Sequence, residues 1–200
     1  MTYGVDWQFT KPDWQVTANF GQSYRLDDKP IIFPDGTGLS DRFSDFVGRA
    51  RVRYKDFVSF TYRFRLDKDD FTPRRTEVDA TIGSRRTYAE IGYLRLDRNI
   101  PNINEDLGDR EELRAAGRVA FARYWSLFGS AVVNMTNRDE DPTLQADGFD
   151  PIRTRIGIAY QDDCIDLGLT WRRDYATQGD ALRGNTFELT FRLLNLGFGG

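Results

Sequence analysis

The sequence predicts an all-β fold: an antiparallel meander of about 10–11 strands forming part of a large transmembrane outer-membrane β-barrel. Three observations carry this. Apolar and polar residues alternate with period two along most of the chain. Long and short connections alternate strictly between the alternating runs. Aromatic residues reach 14% of the 200 residues, and many Tyr and Trp fall near run ends.

The runs are predicted at 3–9, 13–25, 45–55, 57–67, 75–84, 87–97, 111–122, 125–136, 152–161, 163–174 and 185–196. In 13–25, Trp14, Val16, Ala18 and Phe20 share one face, and Gln15, Thr17 and Asn19 the other. In 45–55, Gly48, Ala50, Val52 and Tyr54 oppose Arg49, Arg51 and Arg53. In 57–67, Val58, Phe60, Tyr62, Phe64 and Leu66 oppose Ser59, Thr61, Arg63 and Arg65. In 75–84, Val78, Ala80 and Ile82 oppose Glu77, Asp79 and Thr81. The phase of 87–97 shifts near Gly92, which predicts a bulge there. Residues 110–125 (REELRAAGRVAFARYW) are rich in helix formers, so a helix is the alternative. The alternation of Leu113, Ala115, Gly117, Val119 and Phe121 with Arg114, Ala116, Arg118 and Ala120 favours a strand. In 163–174, Ile165, Leu167, Leu169 and Trp171 oppose Asp166, Thr170 and Arg172. In 185–196, Phe187, Leu189, Phe191 and Leu193 oppose Glu188, Thr190 and Arg192.

Short turns fall at TKPD, YKD, SRR, RYW and QDD, and longer loops separate the resulting hairpins. Outer-membrane barrels have short periplasmic turns and long outer loops. On that map the short turns and the end of the last strand lie on the periplasmic side. Trp14, Val16, Phe60, Phe64, Leu167, Leu169, Phe187, Leu189 and Phe191 are then expected to face lipid. The charged positions Arg49, Arg51, Arg53, Arg63, Arg65, Asp166, Arg172, Glu188 and Arg192 are expected to face the lumen. There they would either balance one another or guide an anionic cargo. The aromatics at run ends are open to a blander reading as ordinary sheet residues.

Composition removes much else. There is no histidine and one cysteine, Cys164. Ser-His-Asp and Cys-His catalysis, His-ligated metals and CxxC chemistry are therefore absent, and no catalytic residue, metal site or cofactor is assigned. The net charge of −3 argues against a nucleic-acid partner. No apolar run is long enough for a transmembrane helix. Met1 is followed directly by an alternating run without a secretory leader, which reads as a cytosolic chain or a piece of a longer exported one. The acidic stretches Asp67–Asp70, Glu105–Asp109 and Asp139–Asp141 are solvated loops, with divalent-cation binding as the alternative.

Five stretches resemble one family. They are GQSYRL (21–26), FPDGTGLSDRFSDFVGRARV (33–52), IGYLRLDRNI (91–100), YQDDCIDLGLTWRRDY (160–175) and NTFELTFRLLNLG (185–197). In this order they resemble the C-terminal barrel region of the LPS-assembly (LptD, OstA) family. The GLSDR block and the Asp-Cys turn are the most specific pieces. The resemblance implies that residues 1–200 are the C-terminal portion of such a barrel, without the N-terminal jellyroll and the earlier strands. It implies an outer-membrane location and passage of lipopolysaccharide into the outer leaflet. The implied partners are lipopolysaccharide, outer-membrane lipid, an LptE-like lipoprotein plug and an LptA-like periplasmic bridge. It implies that Cys164 forms a disulfide with a cysteine upstream of residue 1; a free thiol used as a small hydrophobe is the alternative. It also implies that the last strand, with Phe187, Leu189, Thr190, Phe191 and Leu193, borders a lateral seam. The ending Gly197-Phe198-Gly199-Gly200 departs from the terminal aromatic common in other outer-membrane barrels. A porin-like channel is the alternative function, and a soluble β-sheet binding protein a third; the loop alternation and the family-like blocks speak against both.

Overall fold

The computed structural model describes residues 1–26, 38–39, 41–97, 109–137, 148–175 and 183–194. They form one antiparallel sheet of 11 strands in sequence order, with no helix among the described residues. The strands are β1 (Thr2–Thr10), β2 (Trp14–Ser23), β3 (Phe46–Tyr54), β4 (Val58–Leu66), β5 (Pro73–Gly83), β6 (Tyr88–Leu96), β7 (Arg110–Ala120), β8 (Trp125–Asn134), β9 (Asp150–Gln161), β10 (Ile165–Asp174) and β11 (Gly184–Leu193). Residues 110–120 are strand, as the alternation indicates. The sheet is open: β1 pairs only with β2, and β11 only with β10, among the described residues.

The short turns are tight for local reasons. Pro12 and Asp13 make a two-residue hairpin, in which the Lys11 amide donates to the Trp14 carbonyl at 2.8 Å and Trp14 donates back at 3.1 Å. Proline presets the backbone for such a turn and has no amide to satisfy. Arg85 and Arg86 occupy the equivalent place between Ser84 and Thr87. Gly83, just before, has φ +126°, where a side chain would run into the Thr87 carbonyl. Asp163 and Cys164 form the β9–β10 turn, closed by the Asp162 amide on the Ile165 carbonyl at 3.0 Å.

One expectation is corrected. No bulge occurs at Gly92, and the β5–β6 register runs without interruption from Arg75–Leu96 to Gly83–Tyr88. The irregularities lie instead where Pro73 meets Leu66 and where Pro151 meets Val133. A proline cannot donate to the ladder, so an extra residue is accommodated beside each one. The uneven phase of β6 has another cause: Leu94 and Leu96 lie on its charged face, opposite Glu77 and Arg75.

Among the described residues nothing packs on the sheet as a second layer. Ala159 is the one buried hydrophobic residue among those described. The large apolar side chains are exposed or half-exposed in a single-layer wall.

Candidate functional site

Register sorts the side chains into two faces, because residues directly opposite on neighbouring strands share a face. Phe9, Val16, Val52, Phe60, Ala80 and Ile91 lie opposite one another across β1 to β6. Leu127, Ile158, Leu169 and Leu189 continue that face across β8 to β11. Trp14, Phe64, Leu167, Phe187, Phe191 and Leu193 belong to it by the same pairing. The other face reads Gln8, Thr17, Arg51, Thr61, Asp79, Gly92 and Arg114 across β1 to β7.

Aromatic side chains mark the two ends of the apolar face. At the short-turn end Trp14 packs on Tyr54 at 4.7 Å and Trp125 on Tyr160 at 5.1 Å. At the loop end Phe46 stacks on Phe20 at 5.4 Å and on Phe71 at 5.3 Å, and Tyr24 meets Phe43 at 4.7 Å. From Phe46 to Tyr54 the strand runs about 26 Å.

The charged face is an ordered lattice. Arg63 donates to Glu77 at 3.0 Å and to Asp79 at 2.8 Å. Arg114 reaches Asp79 from two strands away, at 3.2 Å, and Arg75 reaches Glu77 at 3.0 Å. Arg114 gets there by crossing Gly92, where an added Cβ would stand 3.1 Å from its guanidinium. Glycine at this position is a passage for the guanidinium. Arg51 donates to Thr61 at 3.3 Å, and Arg49 sits between Asn19 and Arg63. Across the sheet, Arg153 and Arg172 hold Asp174 at 2.6 and 2.9 Å, while Arg192 and Asp166 are 3.8 Å apart. Arg53 and Asp56, 3.5 Å apart, are both exposed. Glu188 lies opposite Thr170 on the same face.

At the loop end, Arg65 stands 3.3 Å from buried Asp45, and Arg74 meets Asp67 at 3.1 Å and Asp97 at 3.5 Å. Burial raises the Asp45 pKa, with Arg65 opposing. The Asp69 amide, together with Arg74, holds Asp67 below the usual carboxylate range. The Asp67–Asp70 stretch is thus engaged: Asp67 accepts from the Asp69 amide at 2.8 Å and Asp70 from the Thr72 amide at 2.9 Å. No metal-binding cluster occurs among the described residues. Most of Glu105–Asp109, all of Asp139–Asp141, and Gly197-Phe198-Gly199-Gly200 lie outside the described residues.

Cys164 is exposed at the short-turn end. Asp162 organises its turn, accepting from the Cys164 amide at 2.8 Å, the Ile165 amide at 2.7 Å and the Tyr160 hydroxyl at 2.7 Å. These donors, the hydroxyl foremost, lower the Asp162 pKa. The Leu194 amide donates to the Cys164 carbonyl at 2.7 Å, tying the end of β11 to the same turn. Along β11, Phe187, Leu189, Phe191 and Leu193 are exposed on the apolar face, while Thr190 points to the charged face opposite Gly168.

One group escaped sequence reading. Arg85, Arg86 and Arg123 gather with Arg118 around a cavity at the short-turn end. Only Arg118 stood out as a strand residue of the charged face. The available signal was that the SRR and RYW turns both carry arginine at the same rim.

A protein-family model described as LptD, LPS transport system D, matches residues 1–125, more than half of the chain. No curated protein matches it.

Proposed function

From a chain that belongs to the LptD family of lipopolysaccharide transport proteins, we propose a wall sector of an outer-membrane barrel that delivers lipopolysaccharide to the outer leaflet. Family membership ties the chain to lipopolysaccharide transport in general terms. The finer reading rests on one observation: a largely apolar face backs a face that is mostly polar and rich in arginine, and among the described residues almost nothing is buried. Such a sheet suits two solvents, hydrocarbon on one side and water on the other.

In this reading residues 1–200 are the C-terminal sector, and further strands close the barrel. The strands of the described residues are odd in number, which does not close an antiparallel barrel of the usual kind, and among those residues both edges of the sheet are open. The Arg63–Asp79–Arg114 lattice lines the lumen through which the anionic cargo passes. A lipoprotein plug and a periplasmic bridge are the partners that the family suggests. Strand β11 borders the lateral seam, where its free edge meets the first barrel strand.

The test has two arms in the full-length protein in membranes. Single cysteines at Leu189 and Leu169 should react with a lipid-soluble maleimide, and cysteines at Glu188 and Thr190 with a membrane-impermeant one. Loss of that alternation removes the wall reading. A Thr190→Cys cross-link to the first barrel strand should stop lipopolysaccharide export; continued export with the seam locked removes the gate.

A further inference from the structure

We infer that the short-turn rim of β5 to β10 holds a phosphate-binding site built from Arg85, Arg86, Arg118 and Arg123. The four side chains line a cavity of about 520 Å³ between the β5–β6, β7–β8 and β9–β10 turns. Arg86 fixes its shape. Its guanidinium donates to the Ala122 carbonyl at 3.0 Å and also to the Arg123 carbonyl, tying two turns together. Arg118 is held by Ser126 at 3.0 Å and lies 5.9 Å from the Phe128 ring centre. Arg123 lies over Tyr124 at 5.2 Å.

The charge pattern singles this rim out. Elsewhere the guanidiniums of Arg63, Arg74, Arg114 and Arg153 each have a carboxylate. Among the described residues, none of the four rim arginines is ion-paired. Asp162 and Asp163 also line the cavity. Asp162 is committed to Tyr160 and two backbone amides, and Asp163 is also engaged. Four cations facing two carboxylates leave an excess of two positive charges. Such an excess calls for an anion, and the planar forks of arginine match phosphate oxygens two at a time. A phosphate offers enough oxygens for several guanidiniums at once, and the cavity is of a size for a headgroup. The phosphate is either free or carried by a lipid whose headgroup reaches the rim. This inference stands on the rim alone and does not depend on the transport reading.

The experiment uses the full-length protein in a nonionic detergent and follows Trp125, which lines the cavity, by fluorescence. A Trp125→Phe variant supplies the background from the other tryptophans. Inorganic phosphate is titrated first, then micelles doped with phosphatidylglycerol, with diacylglycerol-doped micelles as the phosphate-free control. Saturable binding of both, in competition, assigns a lipid-held phosphate; binding of inorganic phosphate alone assigns the free anion. R85Q/R123Q should weaken either by at least about tenfold, as expected for lost charge-assisted hydrogen bonds. K55Q, on a neighbouring turn and paired with Asp13, should change nothing. If R85Q/R123Q does not fold, R85K/R123K keeps the charge and should still lose about threefold, because lysine lacks the fork. No saturable response to any phosphate, or equal affinity in the altered and native proteins, overturns the site.

Discussion

Replacing Leu189 with arginine, and Thr190 with arginine as its neighbour, separates a membrane wall from a sheet in water. Leu189 is 71% exposed on the apolar face, opposite Leu169 and between Phe187 and Phe191 on its own strand. In water an arginine at so open a position changes stability by no more than about 0.5 kcal/mol. In hydrocarbon it costs about 2–4 kcal/mol at the midplane and less toward either interface. The apolar run from Phe187 to Leu193 covers roughly 20 Å of strand, or about 15 Å along the membrane normal at a tilt of about 40°. That fits within an apolar band of about 25 Å. Leu189 lies a third of the way along the run, so a cost of about 2–3 kcal/mol is expected.

Thr190, one residue on, points to the other face. Its partner there is Gly168, around which a Cβ would meet nothing closer than Thr190 itself at 3.8 Å. Arginine there has room and water, and should cost less than about 0.5 kcal/mol. The difference of about 2 kcal/mol is roughly a 30-fold change in the folding equilibrium. Denaturant unfolding of the full-length protein in phospholipid vesicles, followed by tryptophan fluorescence, measures both. Equal costs, or a larger cost at Thr190, would refute the assignment of faces.

Three further outcomes are expected. Gly92→Ala should cost about 0.5–1 kcal/mol by displacing the Arg114 guanidinium from Asp79, and the cost should vanish when Arg114 is already alanine; a thermodynamic cycle reads the coupling. The β9–β10 turn should loosen in acid. Asp162 has a lowered pKa, so its contribution is present above the unfolded value near 3.9 and is lost as pH falls through the lower folded value; hydrogen exchange at the Ile165 amide should accelerate below about pH 4, and a flat profile counts against the turn's dependence on Asp162. On the barrel reading proposed above, Cys164→Ser should alter the mobility of the full-length protein on non-reducing electrophoresis, because an exposed thiol in an oxidising compartment can be bridged; unchanged mobility excludes the bridge.

Strand content and which residues share a face were legible because both follow from period-two alternation, which survives even in the helix-prone 110–120 segment. The one expected bulge was misplaced because Gly92 was read as a backbone feature, while the Arg114 guanidinium crosses over it to Asp79. Pro73 and Pro151 carried the true signal, as residues unable to donate to a ladder. The lattice partners were not legible. Pairing Arg114 with Asp79 spans 35 residues of chain and needs the register of three strands. The rim arginines were hidden for a similar reason: three turns far apart in sequence meet only once the meander is laid out.

The scarcity of buried apolar side chains among the described residues bears on what holds this fold together. With Ala159 the one buried hydrophobic side chain among those described, burial against other parts of the chain is a minor source of stability. The ladders between neighbouring strands remain, and the lattice of Arg63, Glu77, Asp79 and Arg114 adds to them on one face. Those ion pairs are partly hydrated, so each contributes modestly. A single-layer sheet of this kind in water exposes its Phe, Leu, Ile and Val rows, and that exposure drives association or collapse. In a bilayer the same rows are solvated by acyl chains, and unpaired backbone groups become the dominant cost, several kcal/mol each. The medium therefore reverses which part of the sheet is weak: the apolar face in water, the open edges of β1 and β11 in lipid.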